Sequence, residues 1–412
     1  MPSKEPPTEM PSLRTPRSIQ VLALALVAAL GAGCSGSGSI PSAALNGGGA
    51  RGTSESAMGM PGESAMGLPG ESAMGMPGAQ FACTGLPAPG TASCTLAINV
   101  NASPLANPNQ PAALIPGLHP ADLQSAYALP SQNAGGLVAV VDAYDAPGAD
   151  SDLAVYRSAF GLGDCTSANG CFRKVDQRGR TAFPAPNSAW AEETALDLQM
   201  VSAACPRCTI VLVEADSAAL DDLGAAVDTA ASLGAKAISN SYYALEWSGE
   251  SAEDVHYHHQ GIAVTASSGD RGYAAYPAAS AHVTAVGGTS LRAANGGWTE
   301  TPWNYTGHGC SAFVPTPRWQ TGTSCGTRSA VDLAAVADPQ TGVATFDAAA
   351  GGWLVAGGTS VGAPLVAAAY ALSGRPAAPG YSYRHPAGFR PVGGTGYQPI
   401  TGLGSLNGVS GL

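Results

Sequence analysis

The chain has 412 residues, 45% of them hydrophobic and only 11% charged, with a net charge of −11. One α/β core preceded by an irregular N-terminal region accounts for that length. The acidic balance argues against a nucleic-acid or anionic-membrane partner, and so few ionisable groups leave a surface that tolerates acid.

Residues 1–34 read as an export signal. Lys4, Arg14 and Arg17 precede an apolar run from Val21 to Gly33 that is too short to span a bilayer as a mature helix. The run ends at Gly31-Ala32-Gly33-Cys34, ahead of a Ser/Gly tail. That pattern is similar to a bacterial lipoprotein processing site, although Gly31 stands where leucine is usual. Cys34 is the expected site of a lipid anchor and plain secretion is the alternative; both place the mature chain outside the cell or on its surface. Residues 35–79 are Gly/Ser/Pro/Met-rich and repeat with period eight, in copies beginning at Glu55, Glu63 and Glu71. Turn formers every few residues preclude a packed core, so this is a tether. Residues 80–116 are expected to form an irregular Pro-rich segment.

The nine cysteines support export. With Cys34 set aside, the others fall in sequence-adjacent couples: 83 with 94, 165 with 171, 205 with 208, and 310 with 325. Local disulfides are the simplest connectivity. The Cys205-x-x-Cys208 pair also leaves redox or zinc chemistry open, but no second such pair accompanies it.

From Gly117 the chain becomes periodic. Strands are expected at Leu137–Val141, Thr209–Glu214, Ala235–Asn240, Ile262–Ala266, His282–Val286 and Gly352–Ala356. Helices are expected at Ser151–Phe160, Ala189–Ala204, Ala218–Leu233 and Glu250–His259, with another from the Gly357-Gly-Thr-Ser360 run to Ser373. Buried β-branched strands alternating with helices predict an α/β fold, a doubly wound parallel sheet with helices on both faces. In such sheets ligands bind beyond the carboxyl ends of the strands, which puts Asp142, Ser239 and the Ser267–Asp270 turn on one rim.

Ser360 would occupy a strand-to-helix turn, where free N–H groups and the positive end of a helix surround its oxygen. An N-cap serine is the plain reading of such a position. A nucleophile there needs a base, and none of the histidines at 119, 256, 258, 259, 282, 308 or 385 has a suitable context. His256, His258 and His259 sit near an expected helix end, with no suitably spaced carboxylate or cysteine to complete a metal site. The carboxylates are better placed. Glu193 and Asp197 are four apart on one helix face, and the same stripe continues through Met200, Val201 and Ala204. Two acids are thus aimed at the core, where like charges are costly and a proton should be shared. Glu192 points elsewhere, toward solvent. Asp270, on a glycine-rich turn after a buried strand, could donate a hydrogen bond to an oxyanion if protonated.

These blocks resemble the sedolisin family of serine-carboxyl peptidases. The similarity runs from about His119 to Leu412 and includes Val138-Ala-Val-Val-Asp142, Glu193-x-x-Leu-Asp197, Ser239-Asn-Ser-Tyr242, Ser268-Gly-Asp270, Val336-Ala-Asp-Pro339, Gly357-Gly-Thr-Ser360-x-x-x-Pro364 and Thr401-Gly-Leu-Gly404. The resemblance implies a subtilisin-like fold and a peptidase domain over 117–412. It makes Ser360 the nucleophile, Glu193 the general base, Asp197 its partner and Asp270 the oxyanion-stabilising acid. Imidazole is protonated below about pH 6.5, whereas a carboxyl pair with one raised pKa still accepts a proton in acid. Activity at about pH 3–5, on protein or peptide substrates and by a monomer, is therefore expected.

Two departures from the family stand out. The family's large folded propeptide has no counterpart before Gly117. The C-terminal calcium aspartates are also missing, with Gln398 where one is usual, so no cofactor is firmly expected and calcium is left open. Two other functions remain: a catalytically lapsed cell-surface binding protein on the same fold, and a structural protein whose repeat is the working part.

Overall fold

The structure, a computed structural model, describes residues 75–378 and 380–412. The expected export signal, Cys34 and nearly all of the repeat lie outside the described residues. In chain order the strands are β1 (Ala79–Phe81), β2 (Ser93–Cys94), β3 (Ala97–Asn99), β4 (Leu137–Ala143), β5 (Phe172–Asp176), β6 (Thr209–Ala215), β7 (Ala237–Asn240), β8 (Tyr242–Tyr243), β9 (Ala263–Ser267), β10 (Thr284–Ala294), β11 (Gly297–Pro302), β12 (Cys310–Pro315), β13 (Thr327–Ser329), β14 (Leu333–Val336), β15 (Val343–Asp347), β16 (Gly352–Gly357), β17 (Phe389–Arg390) and β18 (Ser405–Leu406). The α-helices are α1 (Pro120–Ala126), α2 (Ala149–Ala159), α3 (Ser188–Ala204), α4 (Leu220–Ser232), α5 (Asp254–Tyr257), α6 (Gly362–Ser373) and α7 (Tyr381–Arg384).

The main sheet has the order β17-β18-β14-β10-β9-β7-β4-β6-β5, with β11 hairpinned to β10. From β5 to β18 every neighbouring pair is parallel. Alternate side chains of the central strands feed two cores. Val138, Val140, Ile210 and Leu212 pack with Leu196 and Met200 of α3 and Leu365 and Val366 of α6. Ala139, Val141, Val211 and Val213 face Leu223, Ala226 and Val227 of α4. Strands buried on both faces are what a doubly wound sheet requires, which explains their continuous apolar runs. The expected fold class is the observed one.

Several boundaries moved. The expected helix over Glu250–His259 breaks into a 3-10 turn at Glu250–Ala252 and the short α5, because Glu250 folds back to accept the Trp247 N–H. The strand expected at His282–Val286 continues to Ala294 and turns at Asn295 and Gly296, both with positive φ, into β11. All four expected disulfides are formed: Cys83–Cys94, Cys165–Cys171, Cys205–Cys208 and Cys310–Cys325.

The segment 80–116, expected to be irregular and separate from the domain starting at 117, is built into the fold. β1 pairs with β3, β3 with β16, and β2 with β8. Leu96 and Ile115 belong to the main core. Apolar residues that look sparse in sequence suffice when long-range partners supply the other half of each ladder.

Candidate active site

The turn bearing Ser360 lies between β16 and α6. Gly358 holds φ at +92°, and a methyl group placed on it would stand 1.8 Å from the Thr95 carbonyl oxygen and 2.7 Å from Asp270 Oδ2. Glycine is needed there for both conformation and space. The turn is closed by Val361 N–H donating to Gly358 O and Gly362 N–H to Thr359 O. The apolar α6 then carries the chain away through the core, and its first-turn N–H groups point back at the turn.

Glu193 and Asp197 lie on α3, which Asn187 starts by accepting hydrogen bonds from Ala189 N (3.1 Å) and Trp190 N (3.2 Å). The helix is buried nearly all round from Glu193 onward, so its acids are shielded from bulk solvent. Glu193 and Asp197 are 0% exposed, as is Ser360, and Asp270 is 2% exposed. The Ser360 hydroxyl lies beside Glu193 and that of Ser241 beside Asp197, each favouring the charged carboxylate. Glu192, expected in solvent, is instead half-buried, and burial together with Asp347 pushes its carboxyl up to about 7.

A third acid joins the pair. Asp142, at the carboxyl end of β4, is fully buried. Among the described residues, neither of its oxygens, neither oxygen of Asp197, nor Glu193 Oε1 has a hydrogen-bond partner. Burial, and then the charge of Asp142, raise both Glu193 and Asp197 well above the usual carboxyl range. Unpaired ionised carboxylates would cost several kcal/mol each in so dry a site, so the cluster holds protons instead.

Asp270 follows β9 on a turn that Gly269 makes at φ +95°. Its Oδ1 accepts from Thr359 N (2.9 Å) and Thr359 Oγ1 (2.8 Å), while Oδ2 has no partner and faces the space beside Gly358. Burial pushes its carboxyl up to about 7, against the Thr359 bonds that favour the anion. A neutral acid presenting an O–H toward the turn is therefore the form present in acid. Asp142, the Ser239–Ser241 stretch and Asp270 do share the carboxyl rim, since β4, β7 and β9 are adjacent and parallel.

Thr95 occupies the space among these groups, in a segment to which the sequence reading assigned no role. Its N–H donates to Glu193 Oε2 (2.9 Å), and its hydroxyl is 2.6 Å from Ser360 Oγ and 2.9 Å from Ser267 Oγ. The Cys83–Cys94 couple is the one sequence feature that marks this neighbourhood as ordered.

The protonated cluster has a consequence for stability. A group such as Asp270, raised from 3.8 to about 7, keeps its proton in the folded state at pH values where the unfolded chain has lost it. Its contribution is complete below about pH 4 and is lost as pH rises through about 7. One such shift is on the order of 4 kcal/mol, and Glu214, also raised to about 7 by burial, acts in the same direction. Thermal melts between pH 4 and pH 8 should show Tm falling as pH rises. A Tm that climbs toward neutrality would mean these acids are ionised in the fold.

The remaining expectations concern metals. His256 Nδ1 is 2.7 Å from Asp228 Oδ2, and His259 Nε2 is 3.3 Å from Asp228 Oδ1. Among the described residues no group of three or more His, Cys, Asp or Glu side chains is arranged to hold a metal. In the C-terminal loop, Gln398 exchanges backbone hydrogen bonds with Gly402, and its side-chain amide donates to Thr395 O (3.2 Å). That amide carries none of the carboxylate charge that tightens a calcium site.

No protein-family model matches the chain. Kumamolisin of Bacillus sp. (strain MN-32) is 32% identical over an alignment of 199 residues, covering 36% of this chain and 35% of kumamolisin. The chain thus spans about a third of the length of that relative. The solved structure of Pseudomonas sedolisin, a serine-carboxyl proteinase complexed with two molecules of pseudo-iodotyrostatin, is 24% identical. It superposes with a TM-score of 0.62 over 71% of this chain and 96% of that one. Sphericase is 18% identical, with a TM-score of 0.47 over 69% of this chain and 96% of its own. The fold is that of sedolisin. Among the described residues no helix is long and apolar enough to cross a membrane.

Proposed function

We propose that the chain is a sedolisin-family serine-carboxyl peptidase that hydrolyses protein or peptide bonds in acid. The observation that carries this reading is the enclosure of Glu193 and Asp197, one helical turn apart and fully buried, beside the Ser360 hydroxyl. In the proposed reaction Ser360 Oγ attacks the substrate carbonyl carbon while its proton passes to Glu193. Asp197, one turn further along the helix, shares protons with that base, and burial and the charge of Asp142 raise its pKa. The oxyanion forms beside Gly358, where protonated Asp270 donates to it. Glu193 then returns the proton to the leaving amine, and water attacks the acyl ester by the same route in reverse. Export, through the signal-like residues 1–34, and a lipid anchor at Cys34 belong to this reading, since a secreted enzyme meets the oxidising conditions that suit its disulfides.

The filled cleft gives one alternative specific support. With Thr95 against Ser360 there is no room for substrate, as a lapsed binding protein on the same fold would allow. A mixed peptide library at pH 4, compared between wild type and Ser360→Ala, separates the two. The peptidase reading predicts cleavage at least about 10⁴-fold faster in wild type. Equal backgrounds in the two proteins would make the fold a relic.

A further inference from the structure

Tyr144 is held where a tyrosine is rarely found. It follows β4 with φ at +66°, in the left-handed region that a bulky side chain enters only under strain. Backbone bonds on both sides fix it there: Tyr144 N–H donates to Ala215 O (2.8 Å) and Asp145 N–H to Ala185 O (3.2 Å). In that conformation its ring stands edge-on to Trp190, with ring centroids 6.4 Å apart. Trp190 is buried in turn against Tyr242 of the rim strand β8, at 6.2 Å. A glycine or asparagine would hold the same backbone at less cost, so the ring is what tyrosine adds. Strain of this kind persists where it positions a side chain for use.

The two rings border an open cavity of about 420 Å³, completed by Ala218 and by Pro87, Ala92 and Ser93 opposite. Tyr144 and Ala218 follow the carboxyl ends of β4 and β6, so the cavity lies on the rim that carries the acids. It is close to the reacting groups. Trp190 is about one helical turn before Glu193 on α3, and Ser93 is two residues from Thr95, whose hydroxyl is 2.6 Å from Ser360 Oγ. Two extended residues span about 7 Å, so the cavity opens within two or three substrate residues of the bond to be cut. Thr95 fills the centre of the cleft and leaves this part of it open.

Among the described residues no charged side chain lines the cavity. A lysine or glutamate entering it would give up hydration without gaining a partner. An apolar ring would instead gain burial and edge-to-face contact with Tyr144 or Trp190.

We propose that Tyr144 and Trp190 form a specificity subsite that takes a large apolar side chain, aromatic above all, two or three residues from the scissile bond of the peptide substrate. The proposal deepens the peptidase reading and rests on it. Both rings act on the substrate away from the reacting atoms, and the proton transfers stay with the acids already described.

The test measures kcat/KM of the full chain at pH 4 on matched peptides that differ in one residue, with Phe or Ala placed in turn at each of the three positions on either side of the bond. One position, two or three residues from the bond, should favour Phe over Ala by at least about 10-fold. Tyr144→Gly and Tyr144→Asn, which accept the same φ, should bring that ratio to within about threefold of unity, with the loss falling on the Phe peptide. Tyr144→Phe should keep the preference. A wild type without the preference, or a preference that survives in the Gly and Asn variants, overturns the subsite and leaves the peptidase reading standing. Equal losses on the Phe and Ala peptides in those variants would mean that Tyr144 only holds the rim in place, which overturns it as well. Failure of the wild type to cut any of the peptides overturns both readings.

Discussion

Replacing Glu193 by glutamine is expected to lower kcat/KM by about 10⁴-fold with the fold intact. The amide has the same shape and keeps an oxygen to accept the Thr95 N–H, so the strand across the cleft keeps its contact. What it loses is the capacity to take the proton from Ser360 Oγ. Asp197→Asn should cost less, about 10²-fold, because Asp197 acts on the serine only through Glu193. Glu193→Gln should in addition raise Tm at neutral pH, where the wild type carries the cost of a buried acid cluster. Steady-state kinetics on one peptide, with melts on the same preparations, check all of these. Full activity in Glu193→Gln would mean that the base lies elsewhere.

The second large effect concerns Asp270. Its alanine variant should lose about 10²–10³-fold in kcat, the cost of deleting one oxyanion donor. Asp270→Asn is the more informative change, because an amide donates at every pH whereas the acid donates only while protonated. The asparagine variant should retain most of the activity at pH 4. It should also hold that activity to higher pH than wild type, whose Asp270 ionises through about 7. The comparison is read from kcat at pH 4 and pH 7. If asparagine is as damaging as alanine at both values, Asp270 holds the Thr359 turn in place and is not a donor to the reacting oxygen.

The main sheet was legible because each central strand is buried on both faces and reads as an unbroken apolar run, as in Val138–Val141 and Ile210–Val213. The acid pair was legible because Glu193 and Asp197 lie on a stripe that continues into Met200 and Val201, which a solvated helix face does not do. β5 was missed because an edge strand carries charge: Arg173 and Lys174 interrupt the pattern that marks an interior strand. The β10–β11 hairpin carries a local signal in Asn295-Gly296, a two-residue turn pair with positive φ at both positions. Residues 80–116 could not be read, because β2 pairs with β8 and β3 with β16, partners far along the chain. β3 depends on β16, more than two hundred residues later, and no local pattern announces such a pairing. Thr95 stayed hidden for the same reason. Asp142 was placed on the correct rim without a role, since its importance comes from Glu193 and Asp197 on a different element.

The pH dependence of kcat/KM for wild-type protein on a single peptide, measured from about pH 2.5 to 8, bears most directly on the carboxyl base. Buried acids sharing protons predict a maximum in acid, with loss of rate on approach to pH 7 as Asp270 and the Glu193–Asp197 pair ionise. A rate that instead rises through about pH 6.5 to a plateau at 8, as an imidazole base produces, would contradict it.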